Sequence, residues 1–124
     1  MKTILVVDDE SRIRRIYATL LTAEGYHVID TGSAIDASEI LKRERVDLVL
    51  LDLRMPEVNG NILYDVLGAF YKRVKVIVSS VYHIDRQRKI IPHASEYHDK
   101  SQGIDILLDK IQNVLKLETI NTYS

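Results

Sequence analysis

Side chains that bind cations or phosphate follow several short apolar segments of the sequence. They are the carboxylates of Asp8, Asp9 and Asp52, the hydroxyl of Ser80 and, just past a short segment around Tyr97, the ammonium of Lys100. In an open α/β sheet such positions lie at the carboxyl ends of parallel strands, where these folds place their sites. Their convergence predicts a Mg²⁺-dependent phosphoryl acceptor with Asp52 as the nucleophile.

The three carboxylates of Asp8, Asp9 and Asp52 form a candidate metal site. Carboxylates brought close together repel and raise one another's pKa unless a cation neutralises them. Mg²⁺ suits such a group because it takes hard oxygen ligands and keeps several waters. For Asp8 and Asp9 alone, solvated loop acids or helix caps are an equally open interpretation. Asp52, on a second strand, favours the metal site.

Asp52 is the candidate nucleophile because a carboxylate can attack phosphorus and form an acyl phosphate. The metal and Lys100 would neutralise charge on the phosphoryl oxygens, which is where catalysis of this reaction acts. Ser80 would donate a hydrogen bond to the same oxygens. Taken singly, Ser80 and Lys100 have the features of ordinary surface residues, so the prediction depends on their order and spacing.

Composition excludes several other classes of protein. The chain has 124 residues, 46% of them hydrophobic, which suits one domain with one core. A net charge of -1 gives no bulk affinity for nucleic acid or anionic lipid, and the absence of Cys excludes disulfides and thiol catalysis. No apolar stretch is long enough to span a bilayer, and a strand-like segment at the start leaves no room for a signal peptide. We therefore expect a cytoplasmic protein.

Strand-like and helix-like segments alternate along the chain. The predicted strands are residues 3–7, 27–30, 47–51, 74–79 and 95–98. Each is followed by a segment with helical spacing of apolar residues, although the face at residues 83–91 is thin and polar all round. Right-handed crossovers between five such units give a parallel sheet with helices on both faces.

Capping residues place several helix ends. Ser11 and Ser33 are candidate caps for the first and second helices, and Gly25 ends the first helix. Pro92 ends the fourth helix.

Other motifs carry no separate function in this interpretation. The basic run Arg12, Arg14 and Arg15 is a solvated helix face, because acids lie nearby and no recognition-helix unit is present. The four histidines show no zinc-ligand spacing. A nucleotide-binding glycine-rich loop is also absent.

Four stretches of the chain together resemble the receiver domain of two-component response regulators. They are the first strand with its acidic pair, the phosphoacceptor strand with its loop, the fourth strand ending in a hydroxyl, and the fifth strand with its aromatic residue and Lys: residues 4–10, 47–60, 76–80 and 94–100. The resemblance implies an α/β fold, a doubly wound five-stranded parallel sheet of order 2-1-3-4-5, flavodoxin-like and CheY-like. It implies a receiver domain over residues 1–117 and a polar C-terminal tail over residues 118–124, which is a frayed end or the beginning of a linker.

The resemblance also implies roles for the site residues. Asp52 would be phosphorylated by a histidine kinase or a phosphotransfer protein. Mg²⁺ would be held by Asp9, Asp52 and the backbone carbonyl of Arg54, with Asp8 acting mostly through water. Ser80 and Lys100 would hold the phosphoryl group. Such a protein is a switch that catalyses its own phosphorylation and dephosphorylation, rather than an enzyme acting on a separate substrate.

The output side follows from the same resemblance. Tyr97 would turn inward as Ser80 moves, which changes the face built from the fourth helix, fifth strand and fifth helix. That face would signal to a downstream protein target, and a phosphorylation-dependent homodimer is also allowed. The domain itself would bind neither nucleic acid nor a membrane.

Three departures from the family's pattern keep alternatives open. Ser101 follows the Lys where a Pro with a cis bond is usual, and a cis bond before a non-proline residue costs about 2.5–4 kcal/mol. Val81 replaces a smaller residue and narrows the path of an attacking water, and His83 stands where Gly is common. A divergent receiver that binds proteins independently of phosphorylation is one alternative. A small Mg²⁺-dependent phosphohydrolase is another, although no residue is obviously placed as its general base.

Overall fold

A computed structural model describes residues 1–53 and 60–123 of the chain as strands and helices in alternation. The strands are β1 (Thr3–Val7), β2 (His27–Thr31), β3 (Leu48–Leu51), β4 (Lys75–Ser80) and β5 (Glu96–Asp99). The helices are α1 (Ser11–Ala23), α2 (Ala34–Arg43), α3 (Gly60–Phe70), α4 (Ile84–Ile90) and α5 (Ile104–Tyr123), with a short 3₁₀ helix over Lys100–Gln102.

The five strands form one parallel sheet in the order β2-β1-β3-β4-β5. This confirms the predicted doubly wound α/β fold and its strand order. In the sheet register Val7 lies beside Leu51, and Leu51 lies beside Val78. The carboxyl ends of β1, β3 and β4 therefore meet at one edge, and the polar residues that follow these strands lie there together.

Each face of the sheet is covered by its own hydrophobic layer, because alternate side chains of a strand point to opposite faces. On β1, Leu5 and Val7 belong to the layer shared with α2 and α3, whereas Ile4 and Val6 belong to the layer shared with α1 and α5. The central strands are buried on both faces, which explains why they are continuously apolar in the sequence. This rigid sheet holds the strand ends in fixed positions.

Two of the predicted helix signals are confirmed and one is wrong. The Ser33 hydroxyl accepts the Asp36 N–H at 3.3 Å at the start of α2, and Gly25, just past the end of α1, has a φ of 95°. Ser11, by contrast, is already the first residue of α1, whose N-cap is Glu10. The Glu10 N–H is taken by the Asp8 carboxylate at 3.0 Å, so the turn before α1 is stabilised by Asp8 instead.

Strand ends near the site differ slightly from the predicted ones. Both β4 and β5 lie one residue further along the chain than predicted, because Ser80 pairs with Asp99 in the register of these two strands. At the C-terminus, α5 runs to Tyr123, through most of the segment 118–124 that the sequence predicts as a polar tail.

None of the helices in the described part of the chain has the length and apolar character that crossing a bilayer requires.

Candidate functional site

The sheet edge brings together the carboxylates that follow β1 and β3. One carboxylate oxygen from each of Asp8, Asp9 and Asp52 can be chosen so that all three lie within 4.8 Å of one another. Asp8 and Asp52 are buried, whereas Asp9 is exposed. The group is therefore partly shielded from water and open on the Asp9 side.

Lys100, just after β5, completes this cluster. Its ammonium donates to Asp8 Oδ2 at 2.7 Å and to Asp52 Oδ2 at 3.4 Å. Burial lowers the pKa of Lys100, but its hydrogen bond to Asp8 and the charge of Asp52 outweigh this effect, and the pKa of Lys100 lies above its usual value. The ammonium is thus charged at any physiological pH, and among these four side chains two negative charges remain uncompensated.

Backbone hydrogen bonds fix the strand ends that carry the acids. The Asp52 N–H donates to the Val7 carbonyl at 2.9 Å, which ties β3 to β1 at the site. The Asp8 N–H donates to the Thr31 carbonyl at 3.1 Å, which ties β1 to β2. These two bonds join the backbone of Asp52 to β1 and the backbone of Asp8 to β2.

A cavity of about 150 Å³ opens over this group, with Asp9, Glu10, Asp52, Val81 and Lys100 in its lining. Ser80 is fully buried at the end of β4, and its hydroxyl accepts the Tyr82 N–H at 3.3 Å. Val81, the residue that follows β4, contributes to the lining of this cavity, whereas Ser80 does not. The structure thus brings Asp8, Asp9, Asp52 and Lys100 together, with the Ser80 hydroxyl turned to its own loop.

The turn after Lys100 is rebuilt around Ser101. The described residues contain no cis peptide bond, so the bond between Lys100 and Ser101 is trans. The Asp99 carboxylate accepts both the Ser101 N–H at 2.9 Å and the Ser101 hydroxyl at 2.8 Å, and these bonds lower the pKa of Asp99. A proline could make neither bond, so Asp99 and Ser101 together replace the usual Lys-Pro turn.

Tyr97 is buried in the structure. Its hydroxyl donates to the Ile91 carbonyl at 2.5 Å and accepts the Ala94 N–H at 3.2 Å. Arg88 lies over its ring, 5.1 Å from the centroid. The aromatic residue predicted to move on switching thus holds the turn between α4 and β5 in this structure.

Arg54, whose backbone carbonyl the resemblance assigns to the metal, lies outside the described residues. The remaining donors can be judged from their chemistry. Three carboxylates beside one ammonium, partly open to water, fit a hard divalent cation that keeps some of its waters, as Mg²⁺ does.

Sequence reasoning missed two side chains near the site. Arg14, predicted to lie on a solvated face, donates to the Asp8 carbonyl at 2.6 Å and to the Asp30 carboxylate at 3.1 Å. Gln87 is fully buried on α4 and donates to the carbonyls of Tyr82 and His98. A single sequence holds no signal for either residue, because both act on backbone carbonyls that any residue could supply.

Comparisons with known proteins agree with this geometry. The family model for the response regulator receiver domain matches residues 4–112. Chemotaxis protein CheY of Treponema pallidum is 31% identical over 118 residues, which cover 91% of this chain and 82% of that protein. Sporulation initiation phosphotransferase F of Bacillus subtilis is 28% identical over 120 residues, which cover 94% of this chain and 95% of that protein. For the first curated relatives, which are longer regulators, the match spans only 17% to 24% of their length.

Solved structures give the same picture. Response regulator protein TrrA of Thermotoga maritima, in complex with Mg²⁺-BeF, matches with a TM-score of 0.84 and 32% identity, over 92% of this chain and 99% of that one. The complex of histidine kinase ThkA with TrrA contains a chain that matches with a TM-score of 0.85 and 33% identity, over 93% of this chain and 99% of that one.

Proposed function

Since the chain belongs to the response regulator receiver domain family, we propose that it is a signalling switch that accepts a phosphoryl group on Asp52 in a Mg²⁺-dependent reaction. The observation that carries the proposal is the cluster of Asp8, Asp9 and Asp52 with Lys100 in contact with two of the three carboxylates. Such a group supplies a carboxylate nucleophile, carboxylates that can hold a metal ion, and an ammonium that neutralises charge on a transferred phosphoryl group.

In the proposed reaction, a carboxylate oxygen of Asp52 attacks the phosphorus atom of a phosphohistidine. The new oxygen–phosphorus bond forms as the phosphorus–nitrogen bond breaks, and the electron pair of that bond returns to the imidazole nitrogen of the donor. Lys100 holds a positive charge beside Asp52 and neutralises charge on the transferred group. The Ser80 hydroxyl accepts the Tyr82 N–H in the structure, and its own proton would be donated to a phosphoryl oxygen.

The metal would be held by Asp9 and Asp52, by the Arg54 carbonyl and, mostly through water, by Asp8. When bound, Mg²⁺ would neutralise phosphoryl oxygens and offset the repulsion between the incoming group and the acids. Lys100 would stay paired with Asp8, as it is in the structure, and so keep this carboxylate turned toward the site.

The proposed partners are a histidine kinase or a phosphotransfer protein on the input side, and a protein target on the output side. The related TrrA chain, solved with histidine kinase ThkA, supports the kinase partner. The chain would be cytoplasmic and would catalyse its own phosphorylation and dephosphorylation. In the same proposal, phosphorylation would allow the chain to form a homodimer, and this domain would not bind nucleic acid directly.

Treatment with a small-molecule phosphodonor, followed by intact mass spectrometry and peptide mapping, tests the proposal. We expect one base-labile acyl phosphate on Asp52, formed only with Mg²⁺ and absent from Asp52→Asn. Asp9→Asn should need more Mg²⁺ to reach the same extent of modification. An adduct that persists in Asp52→Asn, or one that forms equally well without a divalent cation, would contradict the proposal.

The position of Tyr97 favours a second candidate, a receiver-like module that binds its partner independently of phosphorylation. Its ring is already buried and its hydroxyl already holds the turn after α4. In that case no adduct forms in the same experiment, and the face of α4, β5 and α5 has the same partner affinity in Asp52→Asn as in the wild-type chain.

A further inference from the structure

Arg14 on α1 reaches the backbone between the two N-terminal acids. Its Nη1 donates to the Asp8 carbonyl at 2.6 Å, and its Nε donates to the Asp30 carboxylate at 3.1 Å. Both bonds are charge-assisted, because the guanidinium is charged. The bond to the Asp8 carbonyl is partly buried, whereas Asp30 is 43% exposed and its bond lies at the surface. The guanidinium thus links α1 and the end of β2 to the end of β1.

The atom that Arg14 holds belongs to the peptide unit that begins Asp9. The carbonyl of Asp8 and the N–H of Asp9 lie in one rigid plane, so a fixed oxygen fixes the direction in which the chain enters Asp9. Asp8 needs no such help, because its carboxylate is bonded to Lys100 and to the Glu10 N–H. The exposed side chain of Asp9 makes no hydrogen bond to another described residue, so the region that its carboxylate can reach is set by the backbone, which directs the Cα–Cβ bond.

Gly32 leaves the space that this arrangement needs. A Cβ at position 32 would lie 2.7 Å from Arg14 Nη1, closer than real Cβ atoms approach, and 3.3 Å from Arg14 Cζ, which is a tight contact. No other described atom would lie nearer, and the backbone of Gly32 is not in the left-handed region, so the guanidinium is what restricts this position. A Cβ there would push the flexible end of Arg14 away from the Asp8 carbonyl.

We propose that Arg14, in the space left by Gly32, is a positioning residue that orients the Asp8–Asp9 peptide so that the Asp9 carboxylate meets those of Asp8 and Asp52 at the metal site. The inference rests on the proposed function, because it concerns the same Mg²⁺. It requires no contact between Arg14 and the metal. Partners that orient metal ligands in this way typically contribute 10–100-fold to metal affinity.

Mg²⁺ titration calorimetry on four chains tests the role of Arg14: wild type, Arg14→Ala, Gly32→Ala and the double variant. We expect about tenfold weaker binding in Arg14→Ala and in Gly32→Ala. In the Arg14→Ala background, Gly32→Ala should have no further effect, because the atoms it displaces are gone. Arg15→Ala, which removes an exposed charge from the same helix, is the matched control and should bind as the wild type does.

A second measurement separates positioning from a general loss of structure. Phosphorylation of Arg14→Ala by a small-molecule donor should need about tenfold more Mg²⁺ for half-maximal rate, with the wild-type rate restored at saturation. Unchanged Mg²⁺ affinity in Arg14→Ala, or an equal effect of Gly32→Ala in both backgrounds, would overturn the role of Arg14. A wild-type chain that binds no Mg²⁺ would overturn the proposed function itself.

Discussion

Val81 bears directly on how long a phosphoryl group on Asp52 would last. Its side chain is 50% exposed and lines the same cavity as Asp52. Hydrolysis needs a water in line with the Asp52–phosphorus bond, and bulk at this position narrows the approach. We expect Val81→Ala to shorten the phosphoryl lifetime about two- to tenfold, a barrier change of about 0.4–1.4 kcal/mol. Intact mass spectrometry after removal of the donor measures the decay.

Ile106→Ala is the control for this substitution, because it trims a β-branched side chain of similar exposure on α5, outside the cavity lining. Its phosphoryl lifetime should equal that of the wild type. Equal or slower decay in Val81→Ala would show that access at this position does not limit hydrolysis, and Arg54 or Tyr82 would be the next residues to test.

His98 makes the stability of the fold depend on pH. The imidazole is buried on β5, and its Nδ1 has no hydrogen-bond partner among the described residues. Burial and, to a smaller extent, the charge of Lys110 lower its pKa from 6.5 to about 4. Between these two values the unfolded chain takes up a proton that the folded chain does not. The full stability is present above about pH 6.5 and is lost as the pH falls toward 4.

We therefore expect His98→Leu to be more stable than the wild type, and increasingly so in acid. Removal of the unpartnered nitrogen should raise the free energy of unfolding by about 1–3 kcal/mol near neutral pH, and the avoided protonation should add about 2 kcal/mol near pH 5. Urea unfolding at the two pH values measures both. His93→Leu at an exposed position is the control. A stability gain that is the same at both pH values would exclude His98 as the titrating group.

The acids were predictable because they directly follow short apolar strands, and the ends of parallel strands meet at one edge. Lys100 follows the polar strand β5, and its prediction came from its order and spacing relative to the acids. Arg14 was not predictable, because the same residue type in the same basic run is a solvated face at Arg12 and Arg15. What distinguishes Arg14 is a backbone carbonyl within 2.6 Å and a glycine on a distant turn. Neither contact can be recognised from the sequence of α1, the helix to which Arg14 belongs.

Among the helices, α4 has the least apolar anchoring. It runs over Ile84–Ile90, and its one buried residue is Gln87. The Gln87 amide donates to the Tyr82 carbonyl at 2.7 Å and to the His98 carbonyl at 2.9 Å, so it joins α4 to the loop after β4 and to the edge strand β5. Two carbonyl acceptors require the NH₂ group at this point, and Gln87 Oε1 then has no hydrogen-bond partner among the described residues.

We expect Gln87→Leu to loosen α4 selectively. The substitution keeps the side-chain size and leaves two backbone carbonyls without their donor, which costs about 1–3 kcal/mol for each group that stays buried. Amide hydrogen exchange over Ile84–Ile90 should become faster, with little change in α1 and α2. Gln112→Leu, on the exposed face of α5, should leave the exchange of α4 unchanged. Equal exchange of α4 in both variants would show that the amide does not hold the helix.

The polar character of this helix was visible in the sequence, but its anchoring was not. Apolar periodicity predicts which face of a helix is buried, and residues 83–91 offer no such stripe. A buried amide that replaces the stripe acts through two hydrogen bonds to distant carbonyls, which only the folded chain brings within reach. In α2, by contrast, Ser33 and the spacing of Ala34, Ala37 and Leu41 determined both the start of the helix and its buried face.

Across the whole molecule, the pattern of five strand–helix units determined the fold class, because parallel strands buried on both faces need helices on both sides. The order of the strands did not follow from periodicity and came from the family resemblance. The register that brings Val7, Leu51 and Val78 side by side is a property of the assembled sheet. The site is therefore a product of topology: Asp8 and Asp9 follow β1, Asp52 follows β3 and Lys100 follows β5.

From this arrangement we can predict which parts of the fold a phosphoryl group on Asp52 would affect. A phosphoryl group would draw the Ser80 hydroxyl away from the Tyr82 N–H, and Tyr82 in turn accepts a hydrogen bond from Gln87 on α4. Tyr97 holds the far end of α4 through the Ile91 carbonyl. The middle of α4 and the residue that follows it are thus tied to the loop after Ser80 and to the strand that pairs with β4.

We expect hydrogen exchange with and without Mg²⁺ and beryllofluoride, a phosphoryl mimic, to change over residues 81–100 and to change little in α1 and α2. The one buried residue of α4 is the polar Gln87, and Ile84 is only partly buried against the core, so we expect α4 to belong to the part of the fold that opens at low free energy. The apolar faces of α1 and α2 are packed on the sheet. Asp52→Asn with the same additives is the control and should show no change. Unaltered protection over residues 81–100, with the mimic demonstrably bound, would instead favour the module that binds its partner independently of phosphorylation.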